Sequence, residues 1–230
     1  MKKTSLIISF VMLLALAGNA QVENLRIGLK IGPGLDWVSA GSIETANKSL
    51  GCGVNTGVIL DYYFTKNIAV SSGLNLNFLR MEYQFTDYRK PADFLEETNV
   101  SVLRKVKGCN LEIPVKVKGK FDVAESFDVF AEVGCAFGFN LKDRCKDEFK
   151  YYWVDFVDER YVDCTNQYRA FQPALLFGVG AEYEINKKIS AFAQLTFNHA
   201  FSNAFVSSLE QQTGSIVRNN FIGIELGIMH

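Results

Sequence analysis

The sequence predicts an all-β protein, an eight-stranded antiparallel up-and-down transmembrane β-barrel. Three observations support this fold class. Hydrophobic residues make up 48% of the 230-residue chain, yet the mean hydropathy is only +0.06, so they are numerous but dispersed. Apolar and polar residues alternate with period two, which is typical of amphipathic strands. The connections between strands alternate in length, as they do in barrels that cross a membrane.

The first 20 residues have the features of a secretory signal peptide. Lys2 and Lys3 precede a short apolar core at residues 6–16, and the small residues at 17–20 fit a cleavage site before Gln21. This core is too short to span a bilayer comfortably as a helix. We therefore expect a signal peptide at residues 1–20 and one barrel domain at residues 21–230.

Eight alternating segments follow the signal peptide. In the clearest one, every second residue from Phe127 to Leu141 is apolar, whereas a helix would spread these residues around its circumference. Each segment is about as long as a tilted membrane-spanning strand requires. The eight predicted strands lie at residues 25–35, 54–64, 68–78, 111–118, 127–141, 175–185, 189–198 and 222–228.

The predicted strands are joined by connections of two kinds. Residues 65–67, 122–126 and 186–188 are predicted tight turns, whereas residues 39–50, 87–107, 142–168 and 202–215 are long and polar. Short turns at one end and long loops at the other are typical of outer-membrane barrels, in which the short turns are periplasmic. We therefore expect an outer-membrane protein whose long loops face the cell exterior.

Alternation alone does not say which face is inside, because a soluble lipid-binding barrel has the reverse arrangement. The strand glycines share the polar phase, and an eight-stranded barrel has little interior space, so we predict a polar interior. Charges in such a lumen must pair with one another. The predicted structural network that plugs the lumen comprises Arg26, Lys30, Asp61, Glu112, Lys116, Lys118, Glu132, Glu182 and Glu225.

The chain has five cysteines, and their spacing matches no zinc motif. Export makes a disulfide feasible, and Cys145 and Cys164 are the best pair because both fall in one long polar segment. Free buried thiols are the alternative. The sequence predicts no catalytic residues, cofactor or metal.

One strand resembles a known family. The stretch Leu111-Glu112-Ile113-Pro114 is similar to the strand signature of the PorT-like outer-membrane β-barrel proteins, small porin-family barrels of Bacteroidota. Residues 178–190 and 220–229 resemble the family's penultimate hairpin and closing strand. The resemblance implies an integral outer-membrane protein with an OmpA/OmpX-like barrel and no established common activity. The chain departs from many such barrels because it ends in histidine instead of an aromatic residue.

The leading functional hypothesis is a structural or surface-binding role through the long loops. The loop at 142–168 carries aromatic residues among charges, which resembles a recognition surface. A loop that folds over the barrel mouth, or that extends the strands above the membrane, is the alternative. The predicted recognition residues are Tyr151, Tyr152, Trp153, Phe156 and Tyr161.

Three other functions stay open: a narrow channel, a membrane-embedded lipid-modifying enzyme and a soluble lipocalin-like carrier. An enzyme is not expected, because His199 stands near Ser202, Ser207 and Ser208 without a nucleophile motif. The mature chain carries 22 basic and 25 acidic residues, a net charge of −3, and has no basic stripe, so no nucleic acid is expected. Expected partners are outer-membrane lipid and lipopolysaccharide, the barrel-assembly machinery and an unknown surface ligand.

Overall fold

The computed structural model describes residues 24–40, 46–89, 98–151, 157–206 and 216–230. The predicted signal peptide at residues 1–20 lies outside these ranges. The described chain is almost entirely strand, with one turn of 3-10 helix at Thr165–Gln167. Within the same ranges, no helix has the length and apolar character needed to cross a membrane.

The strands of the described chain form one antiparallel system. They are β1 (Leu25–Ala40), β2 (Ala46–Ser49), β3 (Gly51–Tyr63), β4 (Ile68–Arg89), β5 (Thr98–Ala124), β6 (Phe127–Tyr151), β7 (Val157–Asp163), β8 (Phe171–Asn186), β9 (Ile189–Ala200) and β10 (Val217–Met229). Eight of them close into a ring in the order β1-β3-β4-β5-β6-β8-β9-β10, and β10 pairs with β1. This confirms the predicted eight-stranded barrel. Outside the ring, β2 pairs with β4, and β7 pairs with β6.

The three short connections are confirmed, and all lie at the same end of the barrel. They join β3 to β4, β5 to β6, and β8 to β9. The third connection is a turn in which the Asn186 side chain accepts hydrogen bonds from the Lys188 and Ile189 amides, both at 2.9 Å. A short polar side chain that bonds to its own following backbone favours such turns.

Two of the predicted long loops are wrong over much of their length. Within residues 87–107, β4 continues to Arg89 and β5 begins at Thr98, and within residues 142–168, β6 continues to Tyr151. The alternation persists in these segments, but the apolar residues change faces. Phe78 of β4 is exposed on the outside, whereas Leu79 is buried inside and Arg80 is exposed. The polar phase there marks the outside of a wall that extends beyond the apolar residues exposed on the lower strands. Both forms of the alternative expected for the loop at 142–168 are therefore present, because β6 extends the barrel to Tyr151 and residues 164–168 enter the barrel mouth.

A bulge in β6 marks this change of faces. The pairing of β5 with β6 shifts from Asn110↔Asn140 to Cys109↔Lys142, so Leu141 is an extra residue. Leu141 and Lys142 are both exposed, and the buried phase moves from even to odd positions. A bulge of this kind reorients every side chain that follows it.

The interior consequently has two levels. Below the change of faces it is mostly polar and charged, with one small apolar cluster of Ile59, Phe130, Phe192 and Met229, and above the change of faces it is an apolar core. Residues 164–170 and 201–206 enter the top of the barrel and pair there, with the Arg169 amide donating to the Ala204 carbonyl at 2.7 Å. The buried apolar core comprises Val38, Leu79, Met81, Tyr83, Phe85, Val102, Val106, Cys145, Phe149, Cys164, Tyr168, Ala204, Phe205 and Val217.

Pro114 lies in the middle of β5, where a missing amide interrupts a ladder. The pairing of β4 with β5 has no Pro114 contact, but its register is the same on both sides, from Ser72↔Val115 to Asn75↔Glu112. The Pro114 carbonyl still accepts a hydrogen bond from the Ser72 hydroxyl at 2.9 Å. Pro114 therefore interrupts the ladder between β4 and β5 without producing a register shift.

Apolar side chains such as Leu74, Phe78 and Leu141 are exposed around the outside of the lower strands and form an apolar band. We expect a charged substitution in this band to destabilise the protein. Val115 is apolar and 45% exposed on the outside of β5, in the middle of the band. We expect Val115→Arg to lower the free energy of unfolding by about 2–4 kcal/mol, because lipid cannot solvate the guanidinium. Leu103→Arg, on the outside of the same strand but above the band, should cost less than about 1 kcal/mol. Equilibrium urea unfolding in lipid vesicles measures both, and equal effects would contradict the assigned band.

Candidate functional site: the lumen network and the wall above the membrane

Glu182 is the centre of the lower lumen network and is fully buried. Its Oε1 accepts hydrogen bonds from the Arg26 guanidinium at 2.5 Å and from the Ser190 hydroxyl at 2.6 Å. Lys120 Nζ lies 3.5 Å from Oε1, and Lys118 Nζ lies 3.7 Å from Oε2. Because β1 and β8 are not neighbours in the ring, the contact between Arg26 and Glu182 crosses the lumen.

Five cations of the lower lumen each lie within ion-pair distance of a carboxylate. The pairs are Arg26–Glu182 at 2.5 Å, Lys30–Glu225 at 2.9 Å, Lys116–Glu132 at 2.5 Å, Lys118–Asp61 at 2.8 Å and Lys120–Asp128 at 2.7 Å. In this set, five cations meet five carboxylates, so the five pairs together carry no net charge. Mutual neutralisation is the condition under which charges are tolerated away from water.

Glu112 is held differently from the other carboxylates. Its oxygens accept hydrogen bonds from the side-chain amides of Asn75 at 3.0 Å, Asn77 at 3.1 Å and Asn198 at 2.8 Å. The Asn198 amide comes from β9, across the lumen from β5. A cavity of about 60 Å³ lies beside these groups. The carboxylate therefore links three strands through neutral donors.

Sequence reasoning missed Lys120, Asp128, Ser190 and Gln194. Lys120 follows Lys116 and Lys118 in the same phase, so the signal was present, but the predicted strand ended too early at residue 118. Gln194 donates to Glu225, and Ser190 donates to Glu182. No sequence pattern distinguishes Ser190 and Gln194, the neutral donors, because many other polar residues face the lumen in the same phase.

A second polar group lies inside the apolar core above the band. Arg104 Nε and Nη2 donate to the two carboxylate oxygens of Asp147, each at 2.6 Å, and Nη1 donates to Gln167 at 2.6 Å. Burial alone would lower the pKa of Arg104, but the hydrogen bonds to Asp147 raise it. The hydroxyls of Tyr83 and Tyr168 are hydrogen-bonded to each other, and burial raises the pKa of Tyr83 to about 12. Arg104 therefore stays charged and Tyr83 neutral at physiological pH.

Cys145 of β6 and Cys164 are joined in a disulfide. Cys164 comes directly before the 3-10 turn, and its amide donates to the Asp143 carbonyl at 3.2 Å. The bond ties this turn to the wall and so holds Tyr168 in the top of the barrel. The other three cysteines, Cys52, Cys109 and Cys135, are free.

The predicted recognition residues are only partly described. Tyr161 lies on β7, and its side chain is 73% exposed, with Lys146 Nζ 5.5 Å from the ring centroid. The Tyr151 side chain and residues Tyr152, Trp153 and Phe156 lie outside the described part of the chain. The described residues therefore do not bring this aromatic set together.

His199 lies on the outer side of β9, not in the lumen. Its ring stacks on Phe197 at 6.5 Å between centroids, and Nδ1 is hydrogen-bonded to the Asn220 amide oxygen. Ser202 is described, whereas Ser207 and Ser208 lie outside the described ranges. In the part of the chain that the structure describes, no three His, Cys, Asp or Glu side chains are grouped to hold a metal ion.

The central position of Glu182 predicts a large effect of its neutralisation. Glu182→Gln leaves Arg26, Lys118 and Lys120 with too few carboxylates, so we expect the free energy of unfolding to fall by roughly 3–5 kcal/mol. Glu184→Gln is the matched control, since Glu184 lies two residues further along β8 and is exposed. Urea unfolding in vesicles compares the two, and a control as damaging as the test variant would refute the central role.

Comparison with solved structures finds distant likenesses to several bacterial outer-membrane proteins. Ail of Yersinia pestis shares 11% identity at a TM-score of 0.37, covering 89% of this chain and 98% of that one. OprG of Pseudomonas aeruginosa shares 10% identity at a TM-score of 0.46, and the match covers 89% of this chain and 95% of OprG. The protease OmpT of Escherichia coli shares 9% identity at a TM-score of 0.37, and the match covers 91% of this chain and 97% of OmpT. No curated protein matches the sequence significantly.

A family model gives the assignment that these distant likenesses do not. The model of the outer membrane protein beta-barrel domain matches residues 19–208, which is most of the chain. The match agrees with the closed ring of eight strands and with the apolar band on its outside. The chain therefore belongs to the outer membrane protein β-barrel domain family and is an integral protein of the outer membrane.

Proposed function

We propose that the protein is a non-catalytic outer-membrane barrel that presents a rigid binding surface above the membrane. The observation that carries the proposal is the wall formed by β2, β4, β5, β6 and β7. Residues 79–89 of β4 and 98–108 of β5 continue above the apolar band, roughly 35 Å measured along a strand. Flexible loops would have to be ordered on binding at an entropic cost, whereas this wall is already ordered.

The wall is stiffened from its inner side. The Arg104–Asp147 pair and the Cys145–Cys164 disulfide tie the strands to the turn beneath the barrel mouth. A disulfide of this span is worth about 3 kcal/mol in the usual chain-entropy account. A barrel with only a membrane-anchoring role has no need of a second core outside the membrane.

The outer edge of the wall has the features of a contact surface. Among the described strands, β7 pairs only with β6, so no described strand pairs with its other edge, and sheet edges of this kind can add a strand from a partner. Tyr161 stands on this strand with most of its ring in solvent, and exposed aromatics on rigid elements are frequent binding anchors. The unknown surface ligand expected from the sequence would contact this edge.

Within the family, we propose that the chain is a PorT-like protein. The support is the stretch Leu111-Glu112-Ile113-Pro114, in which Glu112 links three strands and Pro114 interrupts the ladder between two of them. These are physical reasons for a sequence signature at this place. Membrane lipid, lipopolysaccharide and the barrel-assembly machinery are the proposed partners of the band and of biogenesis.

The binding proposal predicts a loss on truncating Tyr161. Intact cells that display the protein should bind components of an array of glycans and matrix proteins, and Tyr161→Ala should weaken that binding at least about tenfold. Tyr183→Ala is the matched control, because Tyr183 is equally aromatic and outward but lies beside a short periplasmic turn. Binding no better than that of cells lacking the protein would contradict the proposal.

A narrow channel is the second candidate function, since the barrel crosses the membrane. The paired lumen charges and the apolar core above them oppose it, and eight strands leave room only for side chains. We expect no steady conductance from the full chain in planar lipid bilayers. Reproducible, size-selective currents would instead favour the channel and would show that the lumen network opens.

A further inference from the structure

A row of three basic side chains crosses the outer surface of the wall. Arg80 of β4 is in register with Lys107 of β5, which is in register with Arg144 of β6. All three are exposed, and exposed Lys142 is close to them in the bulge of β6. Because neighbouring strands are about 5 Å apart, the three residues of the row lie within roughly 10 Å.

The row stands at the upper edge of the apolar band. Two positions below Arg80 is Phe78, which is 48% exposed, and near Arg144 the band ends at Leu141, which is 52% exposed. The same side of these strands is apolar below and charged above. The basic row therefore lies at the height of the lipid headgroups in the outer leaflet.

The fold gives no internal reason for the row. Like charges directly opposite each other on a sheet destabilise it. Within the described ranges, none of Arg80, Lys107, Lys142 and Arg144 forms an ion pair. The acid in register with Arg144 is Asp163, whose carboxylate accepts hydrogen bonds from the Thr165 hydroxyl and amide. These hydrogen bonds and, to a smaller extent, the charges of Lys142 and Arg144 lower the pKa of Asp163, so this carboxylate offsets part of the charge of the row without forming an ion pair with it.

The next row up is different, although it lies on the same surface. Lys105 Nζ is 3.0 Å from the Glu148 carboxylate, and Lys146 Nζ is 3.1 Å from Glu148 and 2.8 Å from Glu159. Lys105 and Lys146 therefore have carboxylate partners on the wall. Among the described residues, the four basic side chains at the edge of the apolar band have none within ion-pair distance.

We propose that Arg80, Lys107 and Arg144, with Lys142, bind the phosphate groups of the outer-leaflet glycolipid, lipopolysaccharide. Guanidinium forks bind phosphate in a bidentate manner, and ammonium groups add point charges. Each basic side chain near an anionic lipid surface contributes roughly a fivefold gain in binding. The inference rests on the outer-membrane location and not on the proposed binding of a surface ligand, so either can fail alone.

The test compares two double variants of the full chain in detergent micelles titrated with fluorescent lipopolysaccharide. Lys107→Gln with Arg144→Gln should weaken binding about 25-fold, because two headgroup contacts are lost. Lys105→Gln with Lys146→Gln removes the same charge from the same two strands, two residues higher. This control should weaken lipopolysaccharide binding less than about threefold. Heat-dependent mobility in electrophoresis verifies that both variants are folded.

Two further measurements identify the source of the phosphate, and a charge-conserving variant controls for misfolding. Enzymatically dephosphorylated lipopolysaccharide should bind the unchanged protein as weakly as the first variant binds the intact lipid, and inorganic phosphate should not displace the lipid. Lys107→Arg with Arg144→Lys keeps the charges and should keep the binding. Equal losses in the two Gln variants, retention of binding by both, or displacement by inorganic phosphate would each overturn the proposal.

Discussion

The constraint on which this structure depends is that lipid offers no hydrogen bonds to a polypeptide. Every backbone amide and carbonyl in the band must pair within the protein, which only a closed sheet achieves with strands. Closure through β1 and β10 removes the edges, and it also creates an interior that water cannot freely enter. The lumen must then satisfy its own polar groups, and the Glu182 network does so by joining non-adjacent strands.

The same constraint explains why the apolar residues change faces at the membrane edge. Below it, the outside of each strand meets lipid and the inside holds paired charges. Above it, the outside meets water, so the apolar side chains turn inward as in a soluble barrel. On β4 this happens between Phe78 and Leu79 without any change in backbone phase, whereas β6 needs the bulge at Leu141.

Much of this could be predicted from residues. Strand positions, the tight turns and the polar interior follow from alternation, since one phase of each strand carries the glycines and charges. The extension of β4 above the membrane could also be predicted, because Leu79, Met81 and Tyr83 alternate with polar residues. The many polar residues of this segment, taken without that alternation, favour a loop. The charge partners were only partly accessible, since alternation places Lys118 inside without indicating that it contacts Asp61 two strands away.

The fold class follows from the residues alone, because period-two alternation over strands of membrane-spanning length has few other solutions. The residues indicate the orientation of single side chains as well. Lys116 and Lys118 face the lumen, because side chains on one strand alternate strictly. The folded barrel, in contrast, sets which carboxylate each cation meets and places the amides that hold Glu112. It alone also aligns Arg80, Lys107 and Arg144 in one row. Such contacts depend on the register between strands distant in sequence, which closure of the ring sets and no local pattern encodes.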